Sequence, residues 1–94
     1  MDPADSIFVV TMRALAGPRN SIPDGRRHDL LVFARAHAEP AAEAVALKGT
    51  ALLGWDEPEI LRTGEITQPE AVPEDLAPAM RRAELNGCAV IAYD

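Results

Sequence analysis

Two early segments alternate between apolar and mixed positions, and this period of two constrains the fold more than any other feature of the chain. In residues 6–15 the even-numbered positions from 8 to 14 are all apolar, and in residues 29–38 the even-numbered positions are all apolar as well. The apolar sets are Phe8, Val10, Met12 and Ala14, and Leu30, Val32, Ala34, Ala36 and Ala38. Because alternate side chains of a strand point to opposite faces of a sheet, both segments are predicted to be strands with one buried face.

The opposite face of these two strands is predicted to be half apolar, and it needs at least partial cover. Its members are Ile7, Val9, Thr11 and Arg13, and Leu31, Phe33, Arg35 and His37. Residues 16–28 between the strands hold Gly, Pro, Asn, Asp and Ser, which indicates a long loop. A hairpin centred on residue 22 would place Val9 near Arg35 and Thr11 near Phe33.

A helix is predicted after the second strand, since Glu39-Pro40 places proline in the first turn, where its missing N–H costs least. Apolar residues then recur at helical spacing and mark the side expected to be buried. These residues are Ala44, Leu47, Ala51 and Leu52. Gly54 is expected to take the left-handed conformation that commonly ends a helix.

The rest of the chain predicts a strand, a helix and a final strand. The third strand is expected over residues 59–66, and Asp75 can cap the N-terminus of the second helix. The buried side of that helix is marked by Leu76, Met80 and Ala83. Asn86-Gly87 should end it, and residues 88–93 form a short apolar strand.

Residues 1–94 are therefore predicted to form one α+β domain with the element order β-β-α-β-α-β. The segments that join each helix to its flanking strands are short, so right-handed crossovers are expected to place both helices on one face of the sheet. The expected architecture is a two-layer sandwich, with two helices on one face of a four-stranded mixed sheet. It is ferredoxin-like, or a β-β-α-β-α-β variant, because the leading hairpin departs from the ferredoxin order.

This succession of elements resembles a group of short, uncharacterised bacterial α+β proteins. The residues that carry the resemblance are the Gly54-Trp55 pair, the stretch EILRTGEI, Asn86-Gly87 and the final VIAY. The resemblance covers most of residues 6–94. It implies the α+β fold and a bacterial source, and it implies no activity and no site residues.

Composition and charge exclude several classes of function. The net charge is −6, and residues 39–94 carry four Lys or Arg against eleven acids, which disfavours both nucleic acid and an anionic membrane surface as partners. One cysteine, Cys88, rules out an internal disulfide and is expected to be a packed thiol. The N-terminus lacks signal-peptide features and no apolar run is long enough for a membrane span, so a soluble cytoplasmic protein is expected.

The cations of the long loop and the mixed face are candidates for binding an anionic small molecule. Arg26 and Arg27 lie in the loop, and Arg13, Arg35 and His37 lie on the mixed face. Guanidinium groups bind phosphate or carboxylate through paired hydrogen bonds. For the loop arginines the alternative is a solvated charged turn.

The same face also predicts a contact with another protein. Leu31 and Phe33 lie among its cations, and exposed apolar patches commonly mark interaction sites. Seventeen alanines and four aromatic residues give a thin core, so oligomerisation is an expected source of stability. The alternative is that a local segment of the chain folds over the face.

The function expected from the sequence is a non-enzymatic protein-interaction or regulatory module that homodimerises through its open sheet face. CxxC, HExxH, Walker A and GxGxxG motifs are all missing from the sequence, so no cofactor, metal site or catalytic residue is predicted. The alternative is a small enzyme or binding protein for an anionic metabolite.

Trp55 is predicted to be a structural residue, although a ligand role stays open. It follows Gly54 directly, where a hydrophobic residue commonly folds back on the last helical turn. Ala51 and Leu52 are its expected contacts. Its indole N–H still needs a hydrogen-bond partner, which a ligand could supply.

Overall fold

The computed structural model describes residues 5–93, and they form a small α+β fold with the predicted element order. The elements are β1 (Ser6–Ala16), β2 (Arg27–Ala36), α1 (Glu39–Leu52), β3 (Trp55–Glu65), a 3-10 turn (Pro69–Ala71), α2 (Ala77–Asn86) and β4 (Cys88–Ala92). The prediction of a four-stranded α+β fold with two helices is confirmed. β3 begins four residues earlier than expected, at Trp55, which pairs with Ala16.

The four strands form one open sheet in the order β3-β1-β2-β4. All three neighbouring pairs are antiparallel, so the expectation of a mixed sheet was wrong. The reason is that β1 lies between β2 and β3. The connection through α1 joins β2 to β3, which run parallel to each other but are not neighbours. Each of them pairs with β1, which runs antiparallel to both.

The β1–β2 hairpin has a register two residues away from the predicted one, because Val9 faces Phe33 and Thr11 faces Leu31. The loop sets this register. The backbone N–H of Ala16 donates to the carbonyl of Arg26 over 2.8 Å, and Gly25 N–H donates to Ala16 over 3.1 Å. These hydrogen bonds extend the strand pairing, so that the loop consists of residues 17–26 only and the hairpin is centred on residue 21.

Helix α1 covers the face formed by the even-numbered side chains of β1 and β2, here called the even face. Ala46 packs in a cluster with Val10, Met12, Leu30 and Val32, all of them almost wholly buried. Ala42 packs in a second cluster with Phe8, Ala34 and Ala36. The wholly apolar face of the two strands is thus the main core, as its alternation predicts.

The buried side of α1 differs from the predicted one. The residues that face the sheet are Ala42, Ala46 and Thr50, whereas Ala44, Ala51 and Leu52 are exposed and Leu47 is 38% exposed. Close approach is the reason: a Cβ on Gly49 would lie only 2.7 Å from the Cys88 sulfur. A helix this near the sheet has room only for small side chains underneath, so its leucines point outward.

Helix α2 covers the opposite face, formed by odd-numbered side chains and here called the odd face. Ala79, Met80 and Ala83 pack with Ile7, Phe33 and Ala89. The prediction that both helices lie on one face was therefore wrong. β3 and β4 are the two edge strands, so the connection between them must cross the sheet, and α1 already occupies the even face.

Candidate functional site

Phe33, the centre of the predicted interaction face, is covered by the protein itself. It is only 1% exposed and packs under α2 with Ala79 and Met80. Leu31 is half-buried and lines a shallow apolar cavity of about 330 Å³, together with Val72 and other residues of the 66–76 segment. The odd face is therefore not open around Phe33, because α2 and the 66–76 segment fold over it.

The predicted cations of the hairpin are held apart by local partners. Arg13 Nε donates to Asp29 Oδ1 over 3.0 Å on the exposed part of the odd face. Arg27 Nη2 lies 3.4 Å from the carbonyl oxygen of Glu57 and 3.7 Å from a Glu59 carboxylate oxygen. Both arginines are substantially exposed, so these ion pairs contribute little to stability.

Arg35 is bound to the end of a helix. Its Nη1 donates to the backbone carbonyl of Glu84 over 2.6 Å, in the last turn of α2, and its Nε lies 3.9 Å from Asp5. A cation there complements the helix dipole and satisfies a carbonyl without an intrahelical partner. Arg26 and His37 are exposed at opposite ends of β2. The seven predicted site residues thus do not converge on one site.

The loop of residues 17–26 is instead fastened to the end of α1. Asn20 is buried, its Nδ2 donates to the Leu53 carbonyl over 2.8 Å, and its Oδ1 accepts from Ile22 N–H over 2.9 Å. Gly17 N–H donates to Gly54 O over 3.1 Å. Gly54 has φ +82°, as its predicted role at the helix end requires, and a Cβ there would lie 2.4 Å from Asn20 N.

Trp55 belongs to the main core and also borders the loop. It is 6% exposed and packs in the cluster that contains Leu30 and Ala46. Its ring meets the His28 ring edge-on, with the centroids 5.4 Å apart and an interplanar angle of 67°. The predicted contact with Leu52 is not its main one, since Leu52 is 78% exposed.

His28 is buried and links the loop to Tyr93, the residue that follows β4. Its Nε2 lies 2.9 Å from Asp24 Oδ2, and its Nδ1 lies 3.0 Å from the Tyr93 carbonyl oxygen. Both partners accept hydrogen bonds, so only a protonated imidazole donates to both. A hydrogen bond from the Arg26 backbone N–H is the main reason that the pKa of Asp24 lies below its ordinary value; desolvation opposes it, and His28 adds smaller effects that lower the pKa further.

A concave surface, partly apolar, lies where the loop, the end of α1 and β4 meet. A cavity of about 410 Å³ is lined by Trp55 and Val90 among others. The aliphatic side chains around it form the loop-end patch, defined as Ile22, Leu52 and Leu53, which are 57%, 78% and 51% exposed. Sequence reasoning missed this patch because it assigned Leu52 to the buried side of α1.

Two cations border the loop-end patch. Arg19 lines the cavity, and both Arg19 and Lys48 line a neighbouring hollow beside Leu52. Within residues 5–93 neither of them takes part in an ion pair. An apolar surface edged by free cations suits a protein contact or an amphipathic anion.

Cys88 lies at the other end of β4, half-buried in a hollow that also contains Val45 and Gly49. Burial raises the pKa of its thiol. The thiolate is the reactive form, so this environment fits the packed thiol expected from the sequence.

No family model, curated protein or solved structure matches this chain. Over residues 5–93, no three His, Cys, Asp or Glu side chains are grouped as a metal site would need. Neither α-helix in this part of the chain is long and apolar enough to cross a membrane.

Proposed function

We propose that the protein is a non-enzymatic interaction module that forms a homodimer through the loop-end patch. The observation that carries this proposal is the orientation of α1, which buries Ala42 and Ala46 and leaves Leu52 and the following Leu53 exposed beside Ile22. Exposed aliphatic side chains grouped around a concave surface are typical of interaction sites. A thin core gains stability when such a surface is covered.

The proposed contact replaces the one expected from the sequence. A dimer through Phe33 would require α2 to leave the sheet, because Phe33 lies under Ala79 and Met80. The loop-end patch needs no such opening. Its polar neighbours support a binding role rather than catalysis, since Asn20 is engaged in fastening the loop to Leu53 and Ile22. A cytoplasmic location in a bacterial cell remains part of the proposal.

Light scattering coupled to size-exclusion chromatography tests the dimer across the micromolar range. We expect the wild type to be dimeric and Leu52→Asp to be monomeric, because the new carboxylate would have to be desolvated in the contact. Leu85→Asp is the matched control, since Leu85 on α2 is 80% exposed and Leu52 is 78% exposed. A strictly monomeric wild type would overturn the proposal, as would a dimer that Leu52→Asp leaves intact.

A second candidate function is supported by Arg19. This arginine lines the 410 Å³ cavity beside Trp55 and Ile22 without an ion-pair partner among the described residues, and the volume lies in the range of small-molecule sites. The candidate ligand is an anion with an apolar body, such as a medium-chain carboxylate. It would bind here rather than at Arg13 and Arg35, which are already engaged.

A thermal-shift titration with octanoate tests this second function, with inorganic phosphate as the purely polar comparison. Octanoate should raise the melting temperature of the wild type and of Arg62→Ala, but not of Arg19→Ala. Arg62 is a suitable control because it is an exposed arginine on β3, away from the cavity. An equal shift in all three proteins would count against the site.

A further inference from the structure

The outer edge of β4 is a row of backbone groups that no other described strand pairs with. β4 pairs with β2 alone. Arg35 N–H donates to Gly87 O over 2.9 Å, and Tyr93 N–H donates to Asp29 O over 2.9 Å. Since bonding alternates along an antiparallel pair, Ala89 and Ile91 also turn their backbone groups to β2. Cys88, Val90 and Ala92 therefore turn theirs outward.

The two edges of the sheet differ in how they are protected. On β3, Pro58 lacks an N–H, Glu57 has φ +49°, and the register with β1 shifts twice. Such features, together with charged side chains, prevent edge-to-edge pairing. β4 has a continuous register with β2 and contains neither a proline nor a charged residue. Only the β4 edge is suited to accept another strand.

The even face beside β4 has room for the side chains of an added strand. α1 leaves two hollows along β4, one on each side of Leu52. Val90 and Ala92 line the first, and Cys88 lines the second. These are the residues whose backbone groups point outward, so main-chain pairing and side-chain packing would occur along the same line.

For a second copy that binds at a sheet edge, the charge distribution favours the β4 edge over the β3 edge. Each copy carries −6, and β3 holds four acids, namely Asp56, Glu57, Glu59 and Glu65. β3 is the opposite edge of the sheet, three strand spacings or roughly 14 Å from β4. Two acidic chains that meet through β4 thus keep these carboxylates far apart.

We infer that a second copy adds its β4 antiparallel to this edge, around a two-fold axis at Val90, and joins the two four-stranded sheets into one. Val90 then faces Val90 of the other copy, and Cys88 faces Ala92, each pair exchanging both of its N–H···O bonds. Leu52 of each copy covers the hollows beside the junction. This inference rests on the proposed homodimer and specifies how it forms.

Amide hydrogen exchange followed by NMR tests the pairing at single residues. In the dimer, the Val90 amide should exchange at least about tenfold more slowly than in the dilute monomer, because its N–H gains a partner. Ala89 and Ile91 are internal controls, since β2 protects their amides in both states. A dimer in which Val90 exchanges as in the monomer would overturn the strand pairing and leave the loop-end dimer standing. A monomer at every concentration would overturn both.

Two substitutions test the same edge by oligomeric state. Val90→Pro removes an outward N–H without removing one that β2 uses, and Ala92→Lys places a charge at the exposed edge. Both variants should be monomeric, whereas Ala44→Lys, at an exposed position on α1, should stay dimeric. Circular dichroism shows which variants are folded. If Val90→Pro does not fold, Ala92→Lys decides, and a dimer that survives Ala92→Lys contradicts the inference.

Discussion

At the scale of single residues, Gly54 joins three parts of the molecule. Its left-handed backbone turns the chain from α1 into β3, and its carbonyl accepts a bond from Gly17 in the loop. The loop backbone also passes so close that a Cβ on residue 54 would lie 2.4 Å from Asn20 N. A side chain at this position thus meets both backbone strain and a steric clash.

We predict that Gly54→Ala lowers the free energy of unfolding by more than about 1 kcal/mol, since φ is positive and the clash is with backbone. Urea denaturation measures the change. Gly64→Ala is the matched control, because no atom lies within 4 Å of a Cβ there and its φ is not positive. If Gly64→Ala lost as much stability as Gly54→Ala, the positive φ and the backbone clash at residue 54 would not explain the loss.

The stability that Asp24 contributes to the folded protein is expected to depend on pH. The Arg26 N–H and then His28 lower the pKa of Asp24 from 3.8, so the ionised carboxylate is stabilised in the folded protein. The resulting stability is present above the unfolded pKa and is lost as pH falls through the lower, folded pKa.

We therefore predict that wild type and Asp24→Asn differ in urea midpoint above about pH 5, and that the difference disappears towards pH 3 and below. Wild type should be the more stable protein in the upper range. Asp56→Asn, which changes another carboxylate near the loop, controls for the general loss of negative charge. A difference that persists unchanged in acid would mean that the ionised state of Asp24 is not responsible.

At the scale of elements, α1 has two stripes of residues with helical spacing, and the sequence prediction chose the wrong one as the buried side of the helix. The spacing of Leu47, Ala51 and Leu52 indicates a buried stripe, and so does the spacing of Ala42, Ala46 and Thr50. The second stripe is the buried one. Distance from the sheet decides between them, because a helix that passes close to Cys88 cannot place leucines underneath. That distance is a property of the packed molecule.

The packing of α2 on the odd face can be tested by a substitution at Phe33. We predict that Phe33→Ala lowers the free energy of unfolding by about 3–5 kcal/mol, because it leaves a cavity under Ala79 and Met80. Denaturant unfolding measures the loss, with Leu61→Ala on β3 as the control, since Leu61 is 46% exposed. If Phe33 instead served an open interaction face, the two variants would lose little stability and differ in self-association.

At the scale of the whole molecule, the charge distribution determines how two copies can approach. Each copy carries −6, so self-association works against net repulsion, even though β4 itself is uncharged. Salt screens this repulsion over roughly 10 Å at 0.1 M. The arrangement of acids on β3 reduces the repulsion but does not remove it.

We predict that the Kd of the dimer falls several-fold between about 0.05 M and 0.5 M sodium chloride, because screening reduces the repulsion between like charges. Sedimentation equilibrium gives the Kd at each concentration. Sodium sulfate at matched ionic strength separates screening from salt effects on apolar burial. A Kd that rises with salt would indicate that opposite charges meet in the contact.

Only part of the candidate site could be predicted from the sequence. The long loop and the turn at Gly54 were located, since turn residues are local features. The loop-end patch was not, because it combines Ile22 of the loop with Leu52 at the end of α1 and Leu53 just after it. Of the predicted residues, Phe33 proved to be packed under α2 and Arg35 to be bound to its last turn.

The sequence by itself determined the element order, the strands with one wholly apolar face and the glycine at the end of α1. These follow from alternation, helical spacing and backbone freedom, which act over a few neighbouring residues. The tertiary structure alone decided that β1 lies between β2 and β3, that the helices cover opposite faces, and that the leucines of α1 face outward. Those outcomes depend on which apolar surfaces remain uncovered once the sheet has formed, and that competition involves residues far apart in the chain.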